Sequence, residues 1–549
     1  MAAHARRGGL ALLVAALVLW GGLYVARTGF VYAGEPVFSL WDDAMISMRY
    51  ARNLAAGEGL VWNPGGERVQ GFSDPLPTLA MAALHALPLG PRLLPLAFQL
   101  LALAAACAGL ALVWRVASRL APETPGLAPA AALATALCAP LQIWALQGAD
   151  GVFVGLWLLA CLAALPTRAG GASLRFALLL GVGPAIRLDA TAFALAALAG
   201  AVVAPGGRAR RLAAGALALA ATWAALAAFG ALYYGDPLPN TWYLKATGSP
   251  RWLVWRSGLE QLGARLPGLA PALVLAGASL WRRRREPLAL ALGGCVAAGF
   301  GVDVATGGDW LAPEYGSRYA LPALPPLLLL ALDGAAPGLA ALVRRLPTAL
   351  VRRLPALARR LPAPLGVAPL LALAAALALA ASPATARREW LDPRAPTMLR
   401  DANVLNYRYA RYLRERTRPD TSVALHWAGV TGYFAERPAI DVLGRCDRHI
   451  ARLRVDRFLP GHSKWDWPYV LRERRPDVFT EATRGLLDLP EFRAEYFQAR
   501  GDGLAFFVRR DALAKLLDAQ VELVELAPQR RPRPRRDPPP APGPAGGSL

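Results

Sequence analysis

The chain has 549 residues, 55% hydrophobic and only 18% charged, where a typical soluble chain carries roughly 25% charged residues. That excess of apolar surface, with a mean hydropathy of +0.33, excludes an ordinary water-soluble domain and calls for lipid. The formal charge of +22 would suggest nucleic acid in a soluble protein; here the arginines fall between apolar segments and in the tail, where they orient membrane spans, so no nucleic-acid partner is expected.

The opening MAAHARRGGLALLVAALVLWGGLYVA has a basic start and an apolar run that continues to Tyr24 and Val25. No small-residue cleavage site is clear before Arg27, which favours a retained first span, near 10–26, over a cleaved signal peptide. Windows of about 20 apolar residues match a bilayer core of about 30 Å. Further spans are expected near 94–114, 127–146, 151–166, 211–233, 266–281, 286–304, 319–333 and 365–382. Two shorter apolar pieces, 174–186 and 190–204, are broken by Pro184 and the charged pair Arg187 and Asp189. They predict a re-entrant or short-helix hairpin with its tip at Arg187. The fold class is therefore an all-α polytopic membrane domain over 1–382 with about 11 transmembrane helices.

With the N-terminus in the cytoplasm, one set of loops holds most of the arginines, including Arg6, Arg7, Arg115, Arg119, Arg168, Arg175 and the run Arg282 to Arg285. The basic bias places those loops inside. The loop 27–93, the short connections 147–150, 234–265 and 305–318, and everything after 382 then lie outside the cytoplasm. The inner stretch 334–364 repeats an Arg-Arg-Leu-Pro phrase three times, which suits contact with anionic lipid headgroups or a solvated orientation signal. The five cysteines offer no disulfide framework outside the membrane, because only Cys446 lies in the polar C-terminal region. Residues 383–528 alternate strand-like phrases such as TSVALHW, PAIDVLG and GLAFFVRR with helix-like stretches, predicting an extracytoplasmic α/β domain. The Pro/Arg-rich tail 529–549 reads as disordered by composition.

Chemistry-bearing residues collect in the outer loops. LWDDAMISMRYARNL places Asp42 and Asp43 at the start of a helical stretch just beyond the first span. Neighbours on a helix point about 100° apart, so the two carboxylates cannot both aim into one pocket. The alternative is that Asp42 caps the helix and Asp43 is a solvated first-turn acid. LQGADG puts Asp150 between two spans, as an acid facing outward or as an N-cap of the span from Gly151. Arg187 and Asp189 are intramembrane charges, which face a cavity or one another. The loop from Tyr233 offers Asp236, Trp242, Tyr243 and Lys245, in a chain with only two other lysines. GGDWLAPEYGSRY offers a tight turn carrying Asp309 and Trp310, and Arg318 at the end of a span. His426, Asp441, Asp447, His449, His462 and Asp466 show no metal-ligand spacing.

The first-loop string DDAMISMRYARNLAAGEGLVWNPGGERVQGFSDP resembles that of the GT-C superfamily of membrane glycosyltransferases. It is similar in particular to the branch containing the terminal arabinofuranosyltransferase of mycobacterial arabinan, which uses a decaprenyl-phosphate sugar donor. YYGDPLPNTWYLKATG, GGDWLAPEYGSRYALPALP, PAIDVLGRCDRHIA and PGHSKWD match the same branch in order. The resemblance implies an enzyme of cell-wall biogenesis in a bacterial inner membrane. It would move a sugar, arabinofuranose within that branch, from a polyprenyl-phosphate donor to an envelope glycan or glycolipid acceptor. Its first-loop acid falls on Asp42 or Asp43, with Asp150 as the second acid where relatives often carry Gly-x-Glu. These three carboxylates would serve as base or as ligands of a divalent cation (Mg2+, Mn2+ or Ca2+). Arg187, Lys245 and Arg318 would take the donor phosphate, and Trp242, Tyr243, Asp309 and Trp310 the sugar or acceptor. The competing class is a lipid or solute transporter or flippase, in which the charged hairpin lines a path; no internal repeat supports it.

Overall fold

The computed structural model describes residues 2–166, 174–345 and 367–526. Most of the Arg-Arg-Leu-Pro stretch and the tail 529–549 lie outside the described residues. The first span is α1 (Ala2–Thr28), followed by a hairpin of β1 (Phe30–Tyr32) and β2 (Glu35–Val37). The first loop then folds as α2 (Asp42–Ala55) and α3 (Pro75–Leu84). The helical bundle continues with α4 (Leu94–Leu120), α5 (Leu127–Leu137), α6 (Ala139–Leu146) and α7 (Gly151–Ala164). After it come α8 (Leu174–Ile186), α9 (Ala190–Val203) and α10 (Arg208–Phe229). A short α11 (Asn240–Ala246) precedes α12 (Arg251–Arg282) and α13 (Pro287–Thr306), and a one-turn α14 (Ala312–Tyr315) leads to α15 (Leu324–Arg345). The helix Val367–Ala380 closes the set.

Every apolar run read from the sequence is helical. Six helices are long and apolar enough to cross a membrane, or seven if the pair α5–α6, bent by 55°, forms one span. The remaining four expected crossings are short helices of 13 or 14 residues, about 20 Å at 1.5 Å per residue. Two of them, α8 and α9, pack as the expected hairpin, joined through Arg187 and Asp189. α12 runs 32 residues, well beyond its apolar window, and carries Pro267 and Pro271 within it.

Packing explains why the bundle holds these positions. A side chain at Gly334 would collide with the Leu275 carbonyl, so α12 and α15 cross backbone to backbone. At the bundle end away from the first loop, arginines satisfy carbonyls that finishing helices leave open. Arg119 donates to the carbonyls of Leu162, Ala163 and Leu165 at the end of α7. Arg211 does the same for Ala201, Ala204 and Pro205 at the end of α9. Positive charge there also complements the negative helix termini.

The C-terminal region carries a six-stranded mixed sheet in the order β4-β3-β5-β7-β6-β8. Its strands are β3 (Val423–Leu425), β4 (Ala439–Asp441), β5 (Val478–Phe479), β6 (Tyr496–Gly501), β7 (Leu504–Arg509) and β8 (Glu522–Glu525). β3 pairs in parallel with β4 and β5, and the other pairings are antiparallel. Phe479, Phe492, Tyr496 and Phe507 pack together beneath it. The first loop buttresses the sheet edge: Trp62 Nε1 donates to the Ala439 carbonyl at 2.9 Å, and Ala439 N donates to Asn63 Oδ1 at 2.9 Å. Fully buried Arg49 of α2 donates to the carbonyls of Trp62 (2.8 Å) and Arg437 (2.9 Å).

Candidate active site

One end of the bundle, where α2, α3, α7, α9, α11 and α15 begin, encloses a polar cavity of about 80 Å³. Chain segments far apart in sequence supply Asp43, Asp74, Asp150, Arg187, Lys245, Arg318, Tyr319 and Arg445 to its lining. Five of these were singled out from sequence: Asp43, Asp150, Arg187, Lys245 and Arg318.

The two first-loop acids part company. Asp43 faces the cavity and accepts from Arg318 Nη1 at 2.8 Å and from Arg445. Asp42 is 7% exposed and turns the other way. Its Oδ1 accepts from the backbone amides of Gly429 (2.9 Å) and Val430 (3.4 Å), holding the C-terminal region against α2. Burial pushes its carboxyl up to about 6, against the pull of Arg445 and the two amides. Neither residue caps the helix, whose N-cap is Trp41. Asp42 is thus part of the joint.

Asp150 makes no cap bond with α7 either. Gly148, at φ +87°, turns the chain just before it, and its carboxylate accepts from Arg187 Nη1 at 2.9 Å. Arg187 also donates from Nε to Asp189 at 2.5 Å. Its remaining nitrogen, Nη2, is buried and has no partner among the described residues. A buried polar donor left unmatched costs about 1–3 kcal/mol, and more when it is charged. Lys245 also lies beside the Tyr319 ring. Its Nζ lies 3.2 Å from Tyr319 Oη, and among the described residues it has no acidic partner.

Arg318 is positioned on both sides. Its Nε donates to Asp309 at 2.7 Å, and its guanidinium lies 4.4 Å above the Trp41 ring and 5.2 Å from that of Trp144. Asp309 is buried beneath it, at the tight turn made by Gly307 and Gly308, both at φ +83°. A carboxylate so engaged orients Arg318 and is not free to bind a sugar. Trp310 packs 6.5 Å from Trp41 and lines a smaller adjoining cavity that shares Lys245, Arg318, Tyr319 and Arg445. Trp242 is 43% exposed, and Tyr243 bonds to Asp236 at 3.0 Å beneath Arg452; neither lines the cavity.

Two charged lining residues escaped the sequence reading. Asp74 precedes Pro75 in the first-loop phrase GFSDP, and accepts from Ser47 Oγ at 3.0 Å. Burial raises its carboxyl first, and the neighbouring charge of Asp150 raises it further. Arg445 comes from the C-terminal phrase GRCDR.

A divalent cation on Asp42, Asp43 and Asp150 does not fit this geometry. Asp42 points out of the cavity, while Asp43 and Asp150 are each engaged by arginine. Among the described residues no three His, Cys, Asp or Glu side chains are grouped to hold a metal.

Residues 398–524 match a family model described as a domain of unknown function, DUF8728. No curated protein matches the chain. Among solved structures it is similar to ArnT from Cupriavidus metallidurans in the apo state, at 16% identity over 91% of this chain and 98% of that one, with a TM-score of 0.55. The fold is that of ArnT. A second ArnT structure, bound to undecaprenyl phosphate, aligns at 14% identity over 95% of this chain and 99% of ArnT, again with a TM-score of 0.55. An oligosaccharyltransferase of Archaeoglobus fulgidus tethered with an acceptor peptide aligns over 93% of this chain and 75% of that one at 12% identity and a TM-score of 0.48. The ArnT-like fold agrees with the GT-C-like architecture expected from sequence: a multi-pass helical membrane protein with a sheet-containing C-terminal region.

Proposed function

We propose that the protein is a membrane glycosyltransferase that moves a sugar from a polyprenyl-phosphate donor to a hydroxyl of an envelope glycan or glycolipid. The reaction takes place at the outer face of a bacterial inner membrane, with the N-terminus in the cytoplasm. The observation that carries this reading is the cavity itself, in which Asp43 shares a wall with Arg187 and with Lys245. An anion seat beside an acid is what transfer from a phosphate leaving group needs. The ArnT fold supports it, since ArnT has been crystallised with undecaprenyl phosphate. The first-loop resemblance makes arabinofuranose the first sugar to test.

In this reading the donor phosphate bridges Arg187 and Lys245 across Tyr319. It then competes with Asp43 for Arg318 and Arg445, and as those arginines swing toward phosphate, the Asp43 carboxylate is freed to accept a proton. The acceptor oxygen attacks the anomeric carbon, and its proton passes to the Asp43 carboxylate. The bond from that carbon to the phosphate oxygen breaks, and the lipid phosphate leaves with the electron pair. The cations neutralise the charge that develops on it. Asp150 and Asp309 hold Arg187 and Arg318 in place. No step uses a metal.

The test is purified full-length protein in lipid discs, supplied with radiolabelled polyprenyl-phosphate sugars, arabinofuranose first. Sugar transfer, or slow release of sugar to water, that vanishes in Asp43→Asn supports the reading. Failure to consume any such donor, or lipid transport that continues in Asp43→Asn, would overturn it in favour of a transporter.

A further inference from the structure

Beside the cavity lies a ring cluster that the transfer step does not use. Trp310 contacts Trp427 (centroids 5.9 Å apart) and His462 (5.6 Å). His426 closes the ring at 6.4 Å from both Trp427 and His462, nearly parallel to the latter. All four side chains are half-buried. Three of them belong to the C-terminal region, and one to the turn that leads to Arg318.

The polar atoms of these rings are almost unused. His462 Nδ1 lies 2.9 Å from the Pro460 carbonyl. Among the described residues His462 Nε2, both nitrogens of His426 and the indole N–H groups of Trp310 and Trp427 have no hydrogen-bond partner. Burial, reinforced by His462, lowers His426 to about 4, and burial lowers His462 also. Both imidazoles are then neutral at physiological pH, each with one donor and one acceptor nitrogen. A lipid chain laid here would leave those groups unmatched, at a cost. A phosphate finds its charge partners in the cavity next door. What fits both ring faces and scattered neutral donors and acceptors is a hydroxyl-rich, uncharged ligand.

We infer that Trp310, His426, Trp427 and His462 form a subsite for a neutral oligosaccharide, the acceptor glycan of the transfer reaction. This deepens the transferase reading and rests on it for the acceptor role. The path to the chemistry is short, because Trp310 packs on Trp41, whose ring lies under Arg318. A glycan stacked on the cluster would lead its terminal hydroxyl towards Asp43.

Full-length protein in detergent is titrated with a neutral oligoarabinofuranoside and, separately, an oligomannoside, followed by saturation-transfer NMR. One of the two should bind. His426→Ala and Trp427→Ala should each weaken that binding by about tenfold, whereas Trp427→Phe, which keeps an apolar ring, should lose much less. In turnover assays the acceptor KM should rise by about the same factor with kcat little changed, since uniform binding alone is removed. Release of donor sugar to water, which involves no acceptor, should stay near the wild-type rate. If an alanine variant is not monodisperse, His426→Gln and Trp427→Phe decide, with the former expected to weaken binding by removing the ring. The inference is overturned if neither glycan binds the wild type, or if binding ignores both alanine substitutions. Glycan binding that depends on Trp427 in a protein that consumes no polyprenyl-phosphate donor would sink the transferase reading and leave the glycan site standing. Donor consumption with substitution-insensitive glycan binding would do the reverse.

Discussion

Both ends of the helical bundle carry a knot of arginines and acids, and the two knots differ in how completely they are satisfied. At the end away from the cavity, Asp333 is 1% exposed and accepts from Ser279 (2.6 Å), Arg282 (2.5 Å) and Arg283 (3.0 Å). Arg283 spends its other nitrogens on Glu286 and Glu123. All three Arg283 nitrogens and both Asp333 oxygens are engaged, and the knot pins α12 to α15. At the cavity end Arg187 keeps one buried nitrogen unmatched, and Lys245 has no acid beside it among the described residues. Burial alone therefore does not mark a functional charge.

The comparison can be broken most directly at Asp43. Asp43→Asn keeps the shape and removes the base, so turnover per folded molecule should fall about 10³-fold, read by donor consumption. Lys245→Ala should cost about 10² in kcat/KM for the donor, because a cation that meets the departing phosphate is lost. Tritiated polyprenyl phosphate should also bind more weakly, and an unchanged affinity would remove Lys245 from the seat. Asp333→Asn tests the saturated knot. It should destabilise the protein by about 2 kcal/mol, through lost charge-assisted hydrogen bonds, while turnover per folded molecule stays at the wild-type value.

Asp42→Asn should change turnover least, since the amide oxygen can still accept from Gly429 and Val430. Its signature is in stability against pH. The folded-state value near 6 lies above the roughly 3.9 of an unfolded Asp. Between those values the native protein holds a proton that the unfolded chain has released. Stability from this group is then greatest below about pH 4, declines as pH rises towards 6, and is flat beyond. The substitution should erase that slope in melting curves collected between these limits.

Apolar runs, the acid pair after the first span and the charged hairpin were legible in the sequence because each is a local pattern with a local physical cause. Arg187 stood out as a charge set where lipid makes charge costly, Asp150 as an acid between two spans, Lys245 as one of only three lysines, and Arg318 as a cation at the end of a span. The choice between Asp42 and Asp43 was not legible. It depends on how α2 is rotated and on where residues 429 and 430 dock, contacts about four hundred positions away. Arg445 was hidden for the same reason, and Asp74 because an acid before proline looks like an ordinary turn. Trp242 and Tyr243 misled, since an aromatic beside a span serves equally well as an interface anchor.

Because Arg445 is one of the two arginines that grip Asp43, the reactive centre is assembled from opposite extremes of the polypeptide. A ribosome that has inserted every membrane helix has still to deliver this arginine. A product ended before Arg445 would keep its membrane helices but lack this wall of the cavity.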